Sequence, residues 1–241
     1  MKKAQKQAIL AALESQYDGI GTALHYHSPF ELLVAVILSA QCTDERVNVI
    51  TARIFPRLNT PEKMGALTQE QLEAEIRDCG LYKAKAKNLL GMCHMLVNEF
   101  GGEIPHDIET MMKLPGVGRK TADVMASVIF KIPAIAVDTH VFRTSHRLGL
   151  SKAKTPEETE LDLQKLLPKE KWGDAHHWFI WHGRITCKAR NPLCTECVCR
   201  DLCPFPEKNL KPSPKGETVQ QTVAALRAKK AALRQQEGQL S

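Results

Sequence analysis

Leu114-Pro115-Gly116-Val117-Gly118-Arg119-Lys120-Thr121-Ala122 decides how the rest of the chain is read. A helix ends near Lys113, a tight Pro-Gly-Val-Gly turn comes next, and a new helix starts near Gly118. Two glycines in three residues open backbone angles closed to other residues and expose main-chain N–H groups. Those donors sit at a helix N-terminus, where the dipole also favours an anion. A phosphate held there would be bound without any reading of base sequence. A plain corner between two helices uses glycine in the same way, so Gly-x-Gly alone fits both readings. Lys120 is open in the same sense. Cations prefer the other end of a helix, so it does not serve as a cap. It is either a surface lysine gripping phosphate or a nucleophile whose amine is freed by burial and the helix N-terminus.

On both sides of this corner helix-start signals recur and strand signals are nearly absent. Ser28-Pro29-Phe30-Glu31 sets a capping serine, an N1 proline and an N3 glutamate ahead of an apolar run. Thr68-Gln69-Glu70-Gln71 and Thr155-Pro156-Glu157-Glu158 repeat the capping-box pattern, and Thr60-Pro61 supplies a cap and an N1 proline alone. Gly101-Gly102 stops a helix begun near Lys83, and Pro133 stops another begun near Gly118. No run alternates with period two for long enough to make a sheet. The sequence predicts an all-α fold.

Five of the eight cysteines fall in one segment, at Cys187, Cys194, Cys197, Cys199 and Cys203. Cys42, Cys79 and Cys93 are scattered through apolar or helical stretches and read as small buried hydrophobes. Pro192, Pro204 and Pro206 break the clustered segment, so it wraps around something rather than forming a helix. Ligands at 187, 194, 197 and 203 give Cys-x6-Cys-x2-Cys-x5-Cys. A structural zinc site pairs two Cys-x2-Cys knuckles, and only one is present. Four thiolates in one loop suit a [4Fe–4S] cube. Spacing leaves both metals open, and Cys199 is a fifth candidate or a spectator.

The 241 residues carry 33 Lys+Arg against 27 Asp+Glu, a net +6. Hydrophobic content of 43% and charged content of 25% exclude wholesale disorder and a fibrous repeat. The longest apolar run, Leu32 to Leu38, is far too short to cross a bilayer, so no membrane partner is expected. Ala8 to Leu13 ends at Glu14 without a cleavage site, so no signal peptide is expected either. Residues 184 to 215 hold seven Lys+Arg and three Asp+Glu, a local +4. Within that stretch Lys188 and Arg190 either press onto phosphates or offset a negative thiolate cluster. After Phe205 the composition turns Pro-, Gln- and Ala-rich. Val223, Leu226, Leu233 and Leu240 line one helical face too thinly to anchor it, so 212–241 reads as a basic tail, either mobile or a solvated helix.

Leu114 to Ala122, with Val137-Asp138-Thr139-His140-Val141 eighteen residues on and the cysteine spacing, resembles the helix–hairpin–helix DNA glycosylase superfamily. Leu38-Ser39-Ala40-Gln41 is similar to a further family segment. The resemblance spans roughly residues 5 to 205 and is closest to the superfamily's endonuclease III branch. It implies a [4Fe–4S] cluster on Cys187, Cys194, Cys197 and Cys203. It also implies Lys120 as the Schiff-base lysine and Asp138, otherwise a plain N-cap, as the catalytic carboxylate. Gln41 and Leu81, otherwise a helix-end polar residue and a core leucine, take on the role of filling the gap left by a flipped base. Leu114, Gly116, Val117 and Gly118 become DNA-backbone contacts. His140 and His146 read as structural helical histidines or pocket-facing ones, and His176-His177 has no metal spacing.

The activity so implied is base excision repair by a bifunctional glycosylase and abasic-site lyase. Its partner is double-stranded DNA with oxidised pyrimidines or abasic sites, bound by a monomer in a bacterial-type cytoplasm, close to the nucleoid. Two helical lobes with a DNA-binding cleft between them are expected. One spans 22–132 with the hairpin at about 108–127, and the other joins 1–21 to 133–211 around the cluster. An adenine-specific mismatch glycosylase shares the cluster and aspartate, but that branch lacks the lysine and carries an extra C-terminal domain. Lys120 and a chain ending at Ser241 argue against it. A non-catalytic iron–sulfur DNA-binding protein would not need both Lys120 and Asp138.

Overall fold

Short polar side chains open most of the helices in this computed structural model, which describes residues 1–213, 216 and 218–238, with side chains to 232. In the first half the chain forms α1 (Lys3–Tyr17), α2 (Pro29–Ser39), α3 (Asp44–Ile54), α4 (Pro61–Gly65), α5 (Gln69–Glu75) and α6 (Tyr82–Phe100). Beyond them come α7 (Ile108–Met111), α8 (Arg119–Val128), α9 (Thr139–Arg147), α10 (Pro156–Gln164), α11 (Trp172–Trp181) and α12 (Val219–Gly238). Among the described residues there is no strand.

Thr68 closes a full capping box on α5, with Gln71 answering its amide. The other two expected boxes close one residue early. Ser28 takes the Glu31 amide, but the Glu31 carboxylate accepts from His27 N at 2.6 Å. Likewise Thr155 takes the Glu158 amide while Glu158 accepts from Lys154 N at 3.1 Å. Proline at N1 leaves the cap in extended backbone, which carries the preceding amide within the glutamate's reach.

By contact density the chain divides into two compact units, Ala23–Ile132 and Met1–Thr22 together with Pro133–Ser241. Within 23–132, α2 is the axis of the core. Leu32, Leu33, Val34, Ala35 and Leu38 are wholly buried, and each large side chain contributes on the order of 2 kcal/mol of hydrophobic stabilisation. Helices α3, α6 and α8 pack around it.

In the other unit α1 and α9 pack on α11, around fully buried Trp178 and Phe179. Helix α11 runs on into a π-turn, His182–Thr186, where the Cys187 amide donates to His182 O at 2.7 Å. Such a turn inserts a residue and re-aims the chain beyond it, here the cysteine loop. The C-terminal stretch takes the second of its two readings, a largely exposed helix, but it is also held at several points. Val219 and Val223 are 2% and 4% exposed, Val219 N donates to the Glu196 carboxylate, and Arg227 donates to Ser15 O. Two valines plus polar attachments suffice where the periodicity alone looks too sparse. Leu226 is half-buried, whereas the Leu233 side chain and Leu240 lie outside the described residues.

Candidate active site and cysteine loop

Within 23–132, the short helix α7 and the helix α8 flank the Leu114–Gly118 turn. Gly116 is left-handed, with φ 81°, and a Cβ there would stand 2.9 Å from the Asn88 side chain, so only glycine fits. Gly118 is extended and caps α8 without a side chain, which leaves the helix's first-turn amides facing outward for an anion. The flanking apolar residues behave differently. Leu114 and Val117 are 2% and 5% exposed, and the Val117 amide is spent on Leu114 O at 3.0 Å. Their side chains pack the turn, and Gly116 and Gly118 are exposed.

Lys120 is the second residue of α8 and is exposed. The burial expected around Lys120 is thus absent from this unit, and the side chain stands at the start of the helix. One turn on, buried Asp123 accepts from Arg119 Nε at 3.0 Å. Burial pushes the Asp123 carboxyl up and Arg119 opposes it.

Gln41 and Leu81 lie in adjacent turns of the same unit. Both are left-handed, φ 52° and 60°, an uncommon state for residues with a Cβ. Leu81 is 58% exposed, Gln41 is exposed, and a Cβ on Gly80 would lie 3.1 Å from Gln41 O. An exposed leucine in strained backbone is not a core leucine.

In the other unit Asp138 caps α9 through one oxygen, Oδ1 accepting from His140 N and Val141 N at 2.8 Å each. Burial pulls His140 down, against the pull of Asp138, and its Nδ1 lies 3.2 Å from Arg143. His146 is structural, its two ring nitrogens 2.6 Å from Phe142 O and 2.7 Å from Ala153 O. His176 is buried with Nδ1 2.7 Å from Ala136 O.

Cys187, Cys194, Cys197 and Cys203 line a single cavity, together with His182 and Arg147. Cys199 is not part of the lining. It is fully buried, its amide donates to Cys197 Sγ at 3.4 Å and its thiol points at Ile9 O. Hydrogen bonding to Cys199 and His182 holds the Cys197 thiol well below the usual range, and Cys199 is pushed up in return. Burial works against ionising Cys187, but bonds with His182 and Arg147 outweigh it. Cys194 and Cys203 are raised by burial. Among the described residues no three His, Cys, Asp or Glu side chains converge as they would on one ion.

Three residues of this region carry no sequence signal of their own. Arg147 donates to Lys188 O and Ala189 O at 2.8 and 3.1 Å, and Arg143 to Gly183 O at 3.0 Å. Buried His182 bridges Tyr17 and Cys197. The two arginines brace the loop from α9, and Lys188 and Arg190 stand exposed on it.

A glycine hairpin with a lysine in the first turn of its helix, a helix-capping aspartate downstream and a four-cysteine cavity together define a DNA-repair class of helical protein. The chain matches the HhH-GPD superfamily base excision DNA repair protein family over residues 34–169 and belongs to that family. It is 45% identical to Endonuclease III of Escherichia coli (strain K12) over 208 residues, 86% of this chain and 99% of that one. With Endonuclease III of Bacillus subtilis (strain 168) it shares 49% identity over 181 residues, 75% and 83% of the two chains. A solved trapped Endonuclease III–DNA covalent intermediate matches with TM-score 0.81 and 46% identity, covering 85% of this chain and 97% of that chain. A thermostable thymine-DNA glycosylase, at 21% identity and TM-score 0.76, shares the fold.

Proposed function

We propose that this chain, a base excision repair DNA glycosylase with abasic-site lyase activity, releases oxidised pyrimidines from duplex DNA through Lys120 and Asp138. The damaged nucleotide is flipped out of the stack. The Lys120 amine attacks C1′, the C1′–N bond breaks, and the base departs with the electron pair and takes up a proton. Positive charge grows on the sugar as that bond lengthens, and the Asp138 carboxylate stabilises it, as carboxylates do in glycoside hydrolysis. The sugar ring opens to an imine on Nζ. Loss of the C2′ proton then expels the 3′ phosphate by β-elimination, and water releases the lysine. Because Lys120 is exposed, bound DNA supplies the water-excluded surroundings that the nucleophile requires.

The position of Lys120 carries this reading: first turn of an uncapped helix, directly after a turn only glycine can make. A relative trapped in covalent union with DNA supports a covalent route. Sodium borohydride reduces the imine to a stable protein–DNA adduct, so a panel of duplexes with different damaged bases reads out lesion range and chemistry together. Adducts are expected with oxidised pyrimidines and abasic sites, and none with Lys120→Gln. An adduct formed by Lys120→Gln would reject the assignment.

The four cysteines that line one cavity fit the four corners of a [4Fe–4S] cluster. When bound, the cluster would tie those corners together and give the loop a rigid floor. Purified protein is expected to be brown, with about four iron atoms per chain; colourless protein holding zinc would reject this.

A further inference from the structure

Lys85 is a buried ionisable side chain that plays no part in the chemistry of Lys120 and Asp138. It lies in the first turn of α6 and is 5% exposed. Its Nζ donates to Leu38 O at 2.8 Å, to Ala40 O at 2.6 Å and to Cys79 Sγ at 3.1 Å. An ammonium has three N–H donors and no acceptor, so these three partners satisfy it completely. Two of them are carbonyls at the end of α2, the end of a helix that favours a cation. The third is a thiol whose own hydrogen bond returns to Leu38 O at 3.3 Å.

What these contacts join matters more than their number. Ala40 immediately precedes Gln41, and Cys79 stands two residues before Leu81. Gln41 and Leu81 are left-handed, and no side chain caps the start of α6 at Leu81. Backbone in that state persists only where its surroundings hold it. Burying a cation merely to fill space is unfavourable compared with an apolar side chain. A lysine here does what a leucine cannot, fastening both turns to one point.

We propose that Lys85 is a positioning residue that holds Gln41 and Leu81 in register, so that both enter the duplex at a damaged base together. This rests on the reading of those two residues as duplex-inserting. It predicts a defect confined to substrates that must be opened. Single-stranded DNA with an abasic site has no duplex to distort, whereas an oxidised pyrimidine or an abasic sugar in duplex must be swung out of the helix.

The test is the ratio of borohydride-trapping rates on duplex and single-stranded abasic DNA, measured with the full-length protein. Lys85→Met should lower that ratio about tenfold or more, since small misplacements at a reacting site cost one to two orders of magnitude. Lys85→Arg, which keeps the cation, should recover most of the ratio. Equal losses on both substrates would mean that Lys85 only supports the fold, and would overturn the proposal. If Lys85→Met does not fold, Cys79→Ala, which removes the thiol that ties the Leu81 side to Lys85 and to Leu38 O, should still lower the ratio; an unchanged ratio would overturn it. Gln41→Ala and Leu81→Ala report on the underlying reading. If neither shifts the ratio, the insertion reading fails; if they shift it and the Lys85 variants do not, the positioning role alone fails.

Discussion

Asp138 separates two roles within one side chain. Asparagine caps a helix as well as aspartate does, so Asp138→Asn should melt with the parent protein yet lose base release by about a hundredfold or more. Asp138→Ala should lose the same activity and about 1 kcal/mol of stability besides. Melting curves alongside single-turnover kinetics distinguish the two. Leu81 offers the opposite dissociation. Its left-handed backbone costs about 1 kcal/mol that glycine does not incur, so Leu81→Gly should hold or raise the melting temperature while duplex processing falls. At Asp123, burial raises the carboxyl and Arg119 limits the rise. A carboxyl raised in the folded state adds stability at low pH that is lost as pH climbs through its folded pKa. Arg119→Ala should therefore destabilise by about 1–2 kcal/mol at pH 7 and by less at pH 4; equal losses would contradict this. Residue types left Lys120 and Asp138 open between bland and chemical readings, and only the family resemblance chose between them. Nor could residue types announce a positive φ at Gln41 or Leu81, because neighbours impose it.

Helix α9 carries Asp138 at its N-terminus and, on its later turns, two arginines that grip the cysteine loop. The loop's exposed basic residues are thus anchored through the same element as the carboxylate. Lys188→Ala with Arg190→Ala should weaken binding to all duplexes alike and reduce the slope of log affinity against log salt by about 2. A defect restricted to damaged duplexes would argue that the pair reads the lesion instead. Helix starts were legible because capping serines, threonines and N1 prolines are local signals, although proline moved two of the reciprocal bonds by one residue. The docking of α12 was not. Its attachment depends on Glu196, Ser15 and two valines, and Glu196 and Ser15 become its neighbours only once the rest of the unit has folded. Val223→Asp should cost about 2 kcal/mol and lower the melting temperature by several degrees.

Across the whole molecule, the cysteine spacing was the most legible feature after the hairpin, because cysteines so close in sequence stay together whatever the rest of the fold. Which cysteine is the spectator was not legible, since Cys199 differs from its neighbours only in facing Ile9 rather than the cavity. The long-range contacts of α1 lay equally beyond sequence reading. Tyr17 meets His182 across 165 residues, and Gln5 meets Leu202 across 197. That arrangement has a consequence for biosynthesis. Residues 1–22 emerge from the ribosome first, but their partners belong to 133–241, which arrive about 10–30 s later at ordinary elongation rates. Helix α1, with Ile9, Leu10 and Leu13 turned toward a core not yet made, must wait unpartnered throughout. Residues 23–132 contain their own core and can complete it in that interval. The cysteine loop, which rests on α1 and follows most of the chain, therefore closes only after synthesis is nearly done, and withholding the proposed cluster should leave a half-built chain rather than an unfolded one.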